Sequence, residues 1–162
     1  MTNTFIPEGF FPISGHAVAS DVGGWDTDII NLANVEMCYI VVHKTIAVAA
    51  ATLHSPLVGA DLVTCATALP QAVPIWDGSP TATNTALTKQ TAATTYSQPI
   101  GAAAGEYFLI FKIDPAVLGS SYKSLCLRIA ASGQANITSV VFWVKPRYQS
   151  KTSSRAATEF IA

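Results

Sequence analysis

The feature that most constrains this chain is the block 105–148, in which turn residues separate three strand-like runs. The first run, 107–113, is apolar at every position but Lys112, so a strand here would be buried on one side and nearly so on the other. The second run is 125–131. The third run, 137–144, is rich in β-branched and aromatic residues and is followed by Pro146, which cannot donate to a ladder. The block therefore predicts an antiparallel meander at the heart of one β domain.

Between the first two runs, residues 114–119 predict one helical turn. Asp114 can accept hydrogen bonds from the free amides, and Pro115 has the φ that a first helical position needs. Gly119 can leave the turn in a left-handed conformation. Alternation along the three runs also predicts the core, whose most buried members should include Leu109, Phe111, Leu127 and Trp143.

The regions before this block give weaker patterns. Residues 35–51 predict one long bent strand or a hairpin with a bend at 43–45; a helix could include 48–51, although Thr45 and Ile46 favour a strand. A weak strand is predicted over 61–66. Residues 79–104, biased towards Ser, Thr, Ala, Asn and Gln, predict a long surface loop or an outlying hairpin.

The length of 162 residues fits a single domain. We divide it into an extended arm (1–24), a β core (25–148) containing the long loop 79–104, and a tail (149–162). The arm has aromatic residues without a regular period, so it should lie across its own sheet or on a neighbouring subunit. An ordered end must recover about 1–2 kcal/mol per residue of backbone entropy, so we expect at least one terminus to contact another chain.

The charge content favours association. Only 12% of the residues are charged, about half the usual share, and the net charge is −1. Residues 1–80 carry seven acids and one base, whereas 81–162 carry three acids and eight bases. Either folding interleaves the two halves, or the molecule has complementary faces that favour docking to copies of itself or to a shell of similar subunits. Nothing is basic enough to make nucleic acid the default partner.

Motifs for catalysis, metal binding and cofactor binding are missing from the sequence. The three histidines have no second ligand at metal-site spacing, and there is no CxxC, GxSxG or phosphate-binding glycine loop. Three cysteines without close spacing make a disulfide framework improbable, and Cys38 and Cys126, inside predicted strands, are expected to be buried free thiols. We therefore expect no enzyme activity, no cofactor and no metal.

Targeting signals are also missing from the sequence. Met1-Thr-Asn-Thr lacks a basic n-region, Pro7 and Pro12 interrupt the early apolar residues, and the apolar runs are too short to span a bilayer. We therefore expect a protein made in the cytosol without membrane contact. A sugar-binding module would need several exposed aromatics on one sheet face. Trp25, Trp76 and Tyr96 could supply them, but each is as readily a core residue.

The block 105–148 resembles small structural proteins of tailed bacteriophages, the minor capsid, decoration or cement proteins. The residues that carry the resemblance are the run Tyr107-Phe-Leu-Ile-Phe, Ile113-Asp114-Pro115 with Leu118, the run Leu125-Cys-Leu-Arg128-Ile, and Pro146-Arg147-Tyr148. The resemblance implies a β-sandwich or barrel-like (jelly-roll-like) fold, no catalysis, and binding to an assembled protein shell.

The functional prediction is therefore a virion structural protein, made in the host cytoplasm, that binds and stabilises the capsid from its surface. Its expected partners are the major capsid protein and copies of itself, as a homo-dimer or homo-trimer. The alternative is a sugar- or receptor-binding β module of a phage tail or fibre. The predicted interface residues are Phe5, Phe10, Phe11, Arg147, Tyr148, Lys151, Arg155, Phe160 and Ile161.

Overall fold

The computed structural model describes residues 10–78, 87–98 and 105–147, and these residues form an all-β fold with one helical turn. The all-β prediction is confirmed. The elements are β1 (Phe11–Ser20), β2 (Trp25–Asp26), β3 (Ile30–Asn31), β4 (Val35–Ile46), β5 (Thr52–Gly59), β6 (Thr67–Ala68), β7 (Val73–Gly78), β8 (Thr88–Ala93), β9 (Tyr96–Gln98), β10 (Gly105–Ile113), α1 (Pro115–Leu118), β11 (Ser124–Ile129) and β12 (Ile137–Pro146).

The strands form two antiparallel sheets around a common core. The front sheet has the order β1-β12-β4-β10-β7-β8. The back sheet has the order β2-β11-β5-β6, with β3 paired to β11 and β9 paired to β5. Apolar residues from β4, β10 and β12 meet those from β5 and β11 in one buried cluster. The architecture is a β-sandwich.

The predicted meander of the last three long strands is wrong. β10 pairs with β4 and β7, and β12 pairs with β1 and β4, so β4 lies between them. β11 belongs to the back sheet. Alternation along a strand reports which residues share a face, but it carries no information about which strand lies alongside.

Two predictions for the first half of the chain also need correction. β4 runs without interruption through His43, Lys44 and Thr45, and no helix or strand covers 47–51. No strand forms over 61–66, because the Asp61 carboxylate accepts from the amides of Val63 and Thr64 and holds a turn. The strand of this region is β5, which lies in the back sheet and ends at Gly59.

Part of the predicted arm is a regular strand. Residues 11–20 form β1, which pairs along β12, with irregular register around His16. Ile13 is buried in the core. Gly15 lies so close to the Phe142 ring that a Cβ there would overlap it, so a glycine lets β1 complete the edge of the front sheet.

The predicted loop 79–104 contributes strands to both sheets. β8 pairs with β7 at the edge of the front sheet, and β9 pairs with β5 in the back sheet. The Tyr96 hydroxyl donates to Asp77 Oδ2 at 2.9 Å and ties the second half of this tract to β7. Residues 79–86 and 99–104 lie outside the described residues.

The core prediction is confirmed for three of its four residues. Leu109, Phe111 and Leu127 are 1%, 0% and 0% exposed. Trp143 is half-exposed on the outside of the front sheet, since the alternate residues Val140, Phe142 and Val144 point inward. The predicted helical turn is confirmed as α1.

The capping of α1 also follows the prediction. The Asp114 side chain accepts from the Ala116 amide at 2.9 Å, and Gly119 has a φ of 96°.

The two charged halves of the sequence are interleaved. Asp26 pairs with Arg128 at 2.8 Å, and Glu36 pairs with Lys145 at 2.9 Å. Cys38 and Cys126 are buried, as predicted, and Cys65 is buried as well.

Candidate functional site

The outer surface of the front sheet is apolar where a solvated sheet face would be polar. We call this surface the front face; its apolar members are Met37, Tyr39, Val41, Trp76, Phe108, Ile110, Val141 and Trp143. Phe108 is 37% exposed, and the others are half-buried in the single chain. Antiparallel sheets with one solvated side usually carry polar residues at these positions.

Strand register assembles these residues into rows across the sheet. The central row runs from Trp76 through Ile110 and Val41 to Val141, on four adjacent strands. In the next row, Tyr39 lies between Lys112 and Trp143. Residues that pair across strands are near neighbours on one face, so the rows form one continuous patch.

Aromatic rings extend the patch at both ends of β4. The Phe108 ring stacks on His43, with centroids 4.7 Å apart and planes at 14°. At the other end, the Phe10 ring packs on Tyr39 with centroids 5.6 Å apart. Four strands spaced about 4.8 Å apart carry these rows over about 20 Å, the length from Met37 to His43, and so make a patch of about 400 Å² before side-chain relief is counted.

Charged groups lie at the two ends of the front face and, as Lys89 beside Trp76, at its β8 edge. At one end, His43 Nε2 lies 3.2 Å from Glu106 Oε2. At the other end, Lys145 pairs with Glu36, and Lys112 has no ion-pair partner among the described residues. An apolar, aromatic centre with a charged rim is the composition of a protein–protein interface.

The second notable site is a polar cluster inside the sandwich. Lys44, on the inner side of β4, is 1% exposed, and its Nζ lies 2.7 Å from Asp21 Oδ2. Lys44 also donates to the Thr52 hydroxyl, and Ser132 Oγ donates to Asp21 Oδ1 at 2.8 Å. Every charge in the cluster has an opposite charge or a hydrogen-bond partner, as a buried pair requires. The cluster joins the end of β1 to β4 and β5.

His54 lies beside this pair on the inner side of β5 and is fully buried. Its ring nitrogens lie near the backbone of Tyr96 and Thr52, but neither makes a well-formed hydrogen bond within the described part of the chain. Burial, and next the Lys44 charge, lower the pKa of His54 from 6.5 to about 4. The ring is therefore neutral at physiological pH.

Within the ranges 10–78, 87–98 and 105–147, no three His, Cys, Asp or Glu side chains are grouped as metal ligands would be. Burial raises the pKa of the Cys38 thiol, and a hydrogen bond with Cys65 followed by burial raises that of Cys126. Within the same ranges, no helix has the length and apolar character needed to span a bilayer.

The predicted interface residues fall in three places. Phe10 packs over Tyr39 at the margin of the front face, and Phe11 pairs with Val144 in β1. Arg147 is exposed at the end of β12, beside a cleft of about 430 Å³ that Tyr122 and Lys123 also line. The remaining predicted residues, Phe5, Tyr148, Lys151, Arg155, Phe160 and Ile161, lie outside the described residues.

The three aromatics considered for sugar binding do not share a surface. Trp76 lies on the front face. Trp25 packs against the core and stacks on His16 with ring centroids 4.1 Å apart. Tyr96 packs against the core and bonds Asp77.

The interface prediction named none of the residues at the centre of the front face. A signal was present, because Phe108 and Ile110 make the run 107–113 apolar in both phases of the alternation. A strand that is apolar on both sides needs a second covering layer. The sequence alone left open whether that layer belongs to the same chain.

Comparison with known proteins gives few matches. No protein-family model matches the chain, and no curated protein matches it. Among solved structures, the crystal structure of the SPBc2 prophage-derived protein YomS is similar, with 9% identity and a TM-score of 0.45 over 83% of this chain and 92% of that one. The assignment to phage structural proteins remains the prediction made from residues 105–148.

Proposed function

We propose that this chain is a non-enzymatic structural protein of a phage virion that binds an assembled capsid and stabilises it through protein–protein contacts. The observation that carries the proposal is the front face, whose apolar centre is left uncovered by the described residues. Its placement in a phage particle rests on the sequence resemblance of residues 105–148.

A front face of this kind is suited to a protein partner. Its central row is mainly aliphatic, since Trp76 is followed by Ile110, Val41 and Val141. Apolar surface of this extent stabilises an association in proportion to the area removed from water, about 25 cal/mol per Å² before the costs of association are subtracted. Repetition over a shell would multiply each contact.

A sugar- or receptor-binding role is the second candidate, since several exposed aromatics do share the front face. A sugar site also needs polar groups beside the rings to fix hydroxyls. On the front face, the central row has one ring, Trp76, followed by three aliphatic side chains, and Tyr39 and Trp143 are the pair of neighbouring rings that has a charged group, Lys112, beside it. This distribution favours a protein partner over a sugar.

The test is co-sedimentation of the purified chain with empty shells of the major capsid protein from the same genome. The variant is Ile110→Glu, which places a charge at the centre of the front face. Leu53→Glu is the matched control, because Leu53 is 42% exposed on a strand of the back sheet. We expect Ile110→Glu to lower the shell-bound fraction at least about tenfold and Leu53→Glu to leave it unchanged.

Circular dichroism must show that both variants fold. Equal binding of the two variants to the shells would show that the front face does not contact the capsid. Failure of the unmodified chain to bind shells, together with retention on a glycan array, would support the receptor-binding candidate.

A further inference from the structure

We propose that one partner of the front face is a second copy of this chain, packed face to face about a two-fold axis that lies across the strands. The inference rests on the proposed function and names the occupant of the same surface in the free chain, an occupant that the capsid displaces on binding. It rests on the distribution of charge along the strands, on the extent of the apolar patch and on the position of the strand ends.

The front face has opposite charges at its two ends. Glu106 is exposed at the start of β10, and Lys112 follows six residues later on the same outer side. At the strand rise of about 3.3 Å per residue, the two Cα atoms are about 20 Å apart. Lys145 lies at the Lys112 end and is already paired with Glu36, so Lys112 is the unpaired cation of that end among the described residues. Lys89, beside Trp76 on the edge strand β8, is a second cation of the front sheet without an ion-pair partner among these residues.

This distribution selects one of the two simple face-to-face arrangements. A two-fold axis parallel to the strands would put like ends together, with Lys112 near Lys112 and Glu106 near Glu106. An axis across the strands reverses the direction of the second sheet and puts opposite ends together. Since like charges repel and the interface of a two-fold dimer must be self-complementary, the second arrangement is favoured.

The residue spacing sets where the axis crosses. Leu109 is midway between Glu106 and Lys112 and is the middle residue of β10. An axis over Leu109 places Glu106 of each copy over Lys112 of the other, and Phe108 over Ile110. The same axis crosses β4 at Val42, which pairs with Leu109, and so brings His43 over Val41. Stacked sheets cross at about 30°, an offset that the long Lys112 and Glu106 side chains can span.

The extent of the patch fits a weak, reversible dimer. About 400 Å² of sheet surface per copy, before side-chain relief, is smaller than the roughly 600–1,000 Å² per partner of stable interfaces and is in the range of transient contacts. The centre of the patch contains Trp76, Phe108 and Ile110, and large aromatic side chains are the usual anchors of such contacts. Covering them would complete the layer that the two-sided apolar strand β10 requires.

The test is sedimentation velocity of the full chain over a concentration series. The unmodified protein should sediment as a species of twice the 17.0 kDa chain mass. Glu106→Lys and Lys112→Glu should each weaken dimerisation at least about tenfold, because each replaces two symmetric ion pairs by repulsions. The double variant Glu106→Lys/Lys112→Glu should restore dimerisation to within about threefold of the unmodified chain.

An equimolar mixture of the two single variants provides the sharpest control. One variant carries two cations at these positions and the other carries two anions, so they should form a mixed dimer although neither forms its own. Restoration by the double variant without mixed-dimer formation would contradict the proposed axis.

Other results would overturn the dimer. The unmodified chain could sediment as a monomer at every concentration, or the single charge reversals could leave its dimer unchanged. A monomer that dimerises once residues 2–9 are deleted would show that the chain's own N-terminal segment covers the face, since Phe10 already packs on Tyr39. A monomer that still binds shells would refute only the dimer, and a dimer that binds no shells would refute only the capsid role.

Discussion

The outer surfaces of both sheets carry apolar residues, but among the described residues a covering segment lies only over the back sheet. On the back sheet, Leu57 and Cys126 point outward, and the segment 60–66 folds over them. The Cys65 thiol donates to the Leu57 carbonyl at 3.0 Å, and the Cys126 thiol donates to the Cys65 carbonyl at 3.4 Å. On the front sheet, no described segment crosses the central row of Trp76, Ile110, Val41 and Val141.

Outward-facing apolar residues therefore have two different roles in this protein. An outward apolar residue that the chain covers belongs to a secondary core and contributes to folding. An outward apolar residue that the chain leaves exposed is available for association. Strand pattern is similar in both cases, so the position of one loop decides the role.

The largest expected effect separates the two sides of β10. Phe111→Ala removes a fully buried ring and should cost about 3–5 kcal/mol of unfolding free energy. Phe108→Ala, three residues away on the front face, should cost less than about 1 kcal/mol and weaken association instead. Urea unfolding and sedimentation measure the two effects. Equal destabilisation by both variants would mean that the front face is covered within the single chain.

The second prediction concerns the inner side of the back sheet and its dependence on pH. Because the folded pKa of His54 is about 4 and its ordinary value is 6.5, the unfolded chain binds a proton more readily than the folded one. Stability is therefore fully present above about pH 6.5 and falls as the pH drops towards 4, by about 3 kcal/mol in total. Below pH 4 the contribution of His54 is constant.

The measurement for this prediction is urea unfolding at a series of pH values for the unmodified chain and for His54→Gln. The difference between the two curves isolates His54 from the other titrating groups. His16→Gln is the control, since His16 is only half-buried, in contrast to the fully buried His54. A difference curve that is flat between pH 6.5 and 4 would contradict the predicted neutral, buried ring.

The smallest expected effect tests the cover of the back sheet. A Cβ at residue 59 would overlap the Thr64 carbonyl oxygen and crowd Ser124 Oγ, so Gly59→Ala should push the segment 60–66 outward. We expect a loss of about 1–3 kcal/mol and faster reaction of Cys65 and Cys126 with a thiol reagent. Gly23→Ala is the matched control, because a Cβ there has open space around it. Unchanged thiol reactivity in Gly59→Ala would show that the cover does not depend on this close approach.

The sequence by itself determined the local features of this protein. The alternation in 107–113 predicted the inward residues Leu109 and Phe111, and Asp114 with Pro115 predicted the helical turn. These succeeded because side-chain direction along a strand and capping at a helix start depend on neighbouring residues alone. The two-sided apolar character of β10 was also visible in the sequence.

Only the tertiary structure decided which strands are neighbours and which surfaces stay open. β4 separates β10 from β12, and residues 11–20 complete the sheet edge, because non-local pairing depends on how the whole chain closes around its core. The tertiary structure also decided that Trp143 faces outward, because the register in which β12 pairs with β4 sets which residues of β12 point to the core. Among the described residues, the segment 60–66 folds over the back sheet, and no described segment covers the front face in the same way.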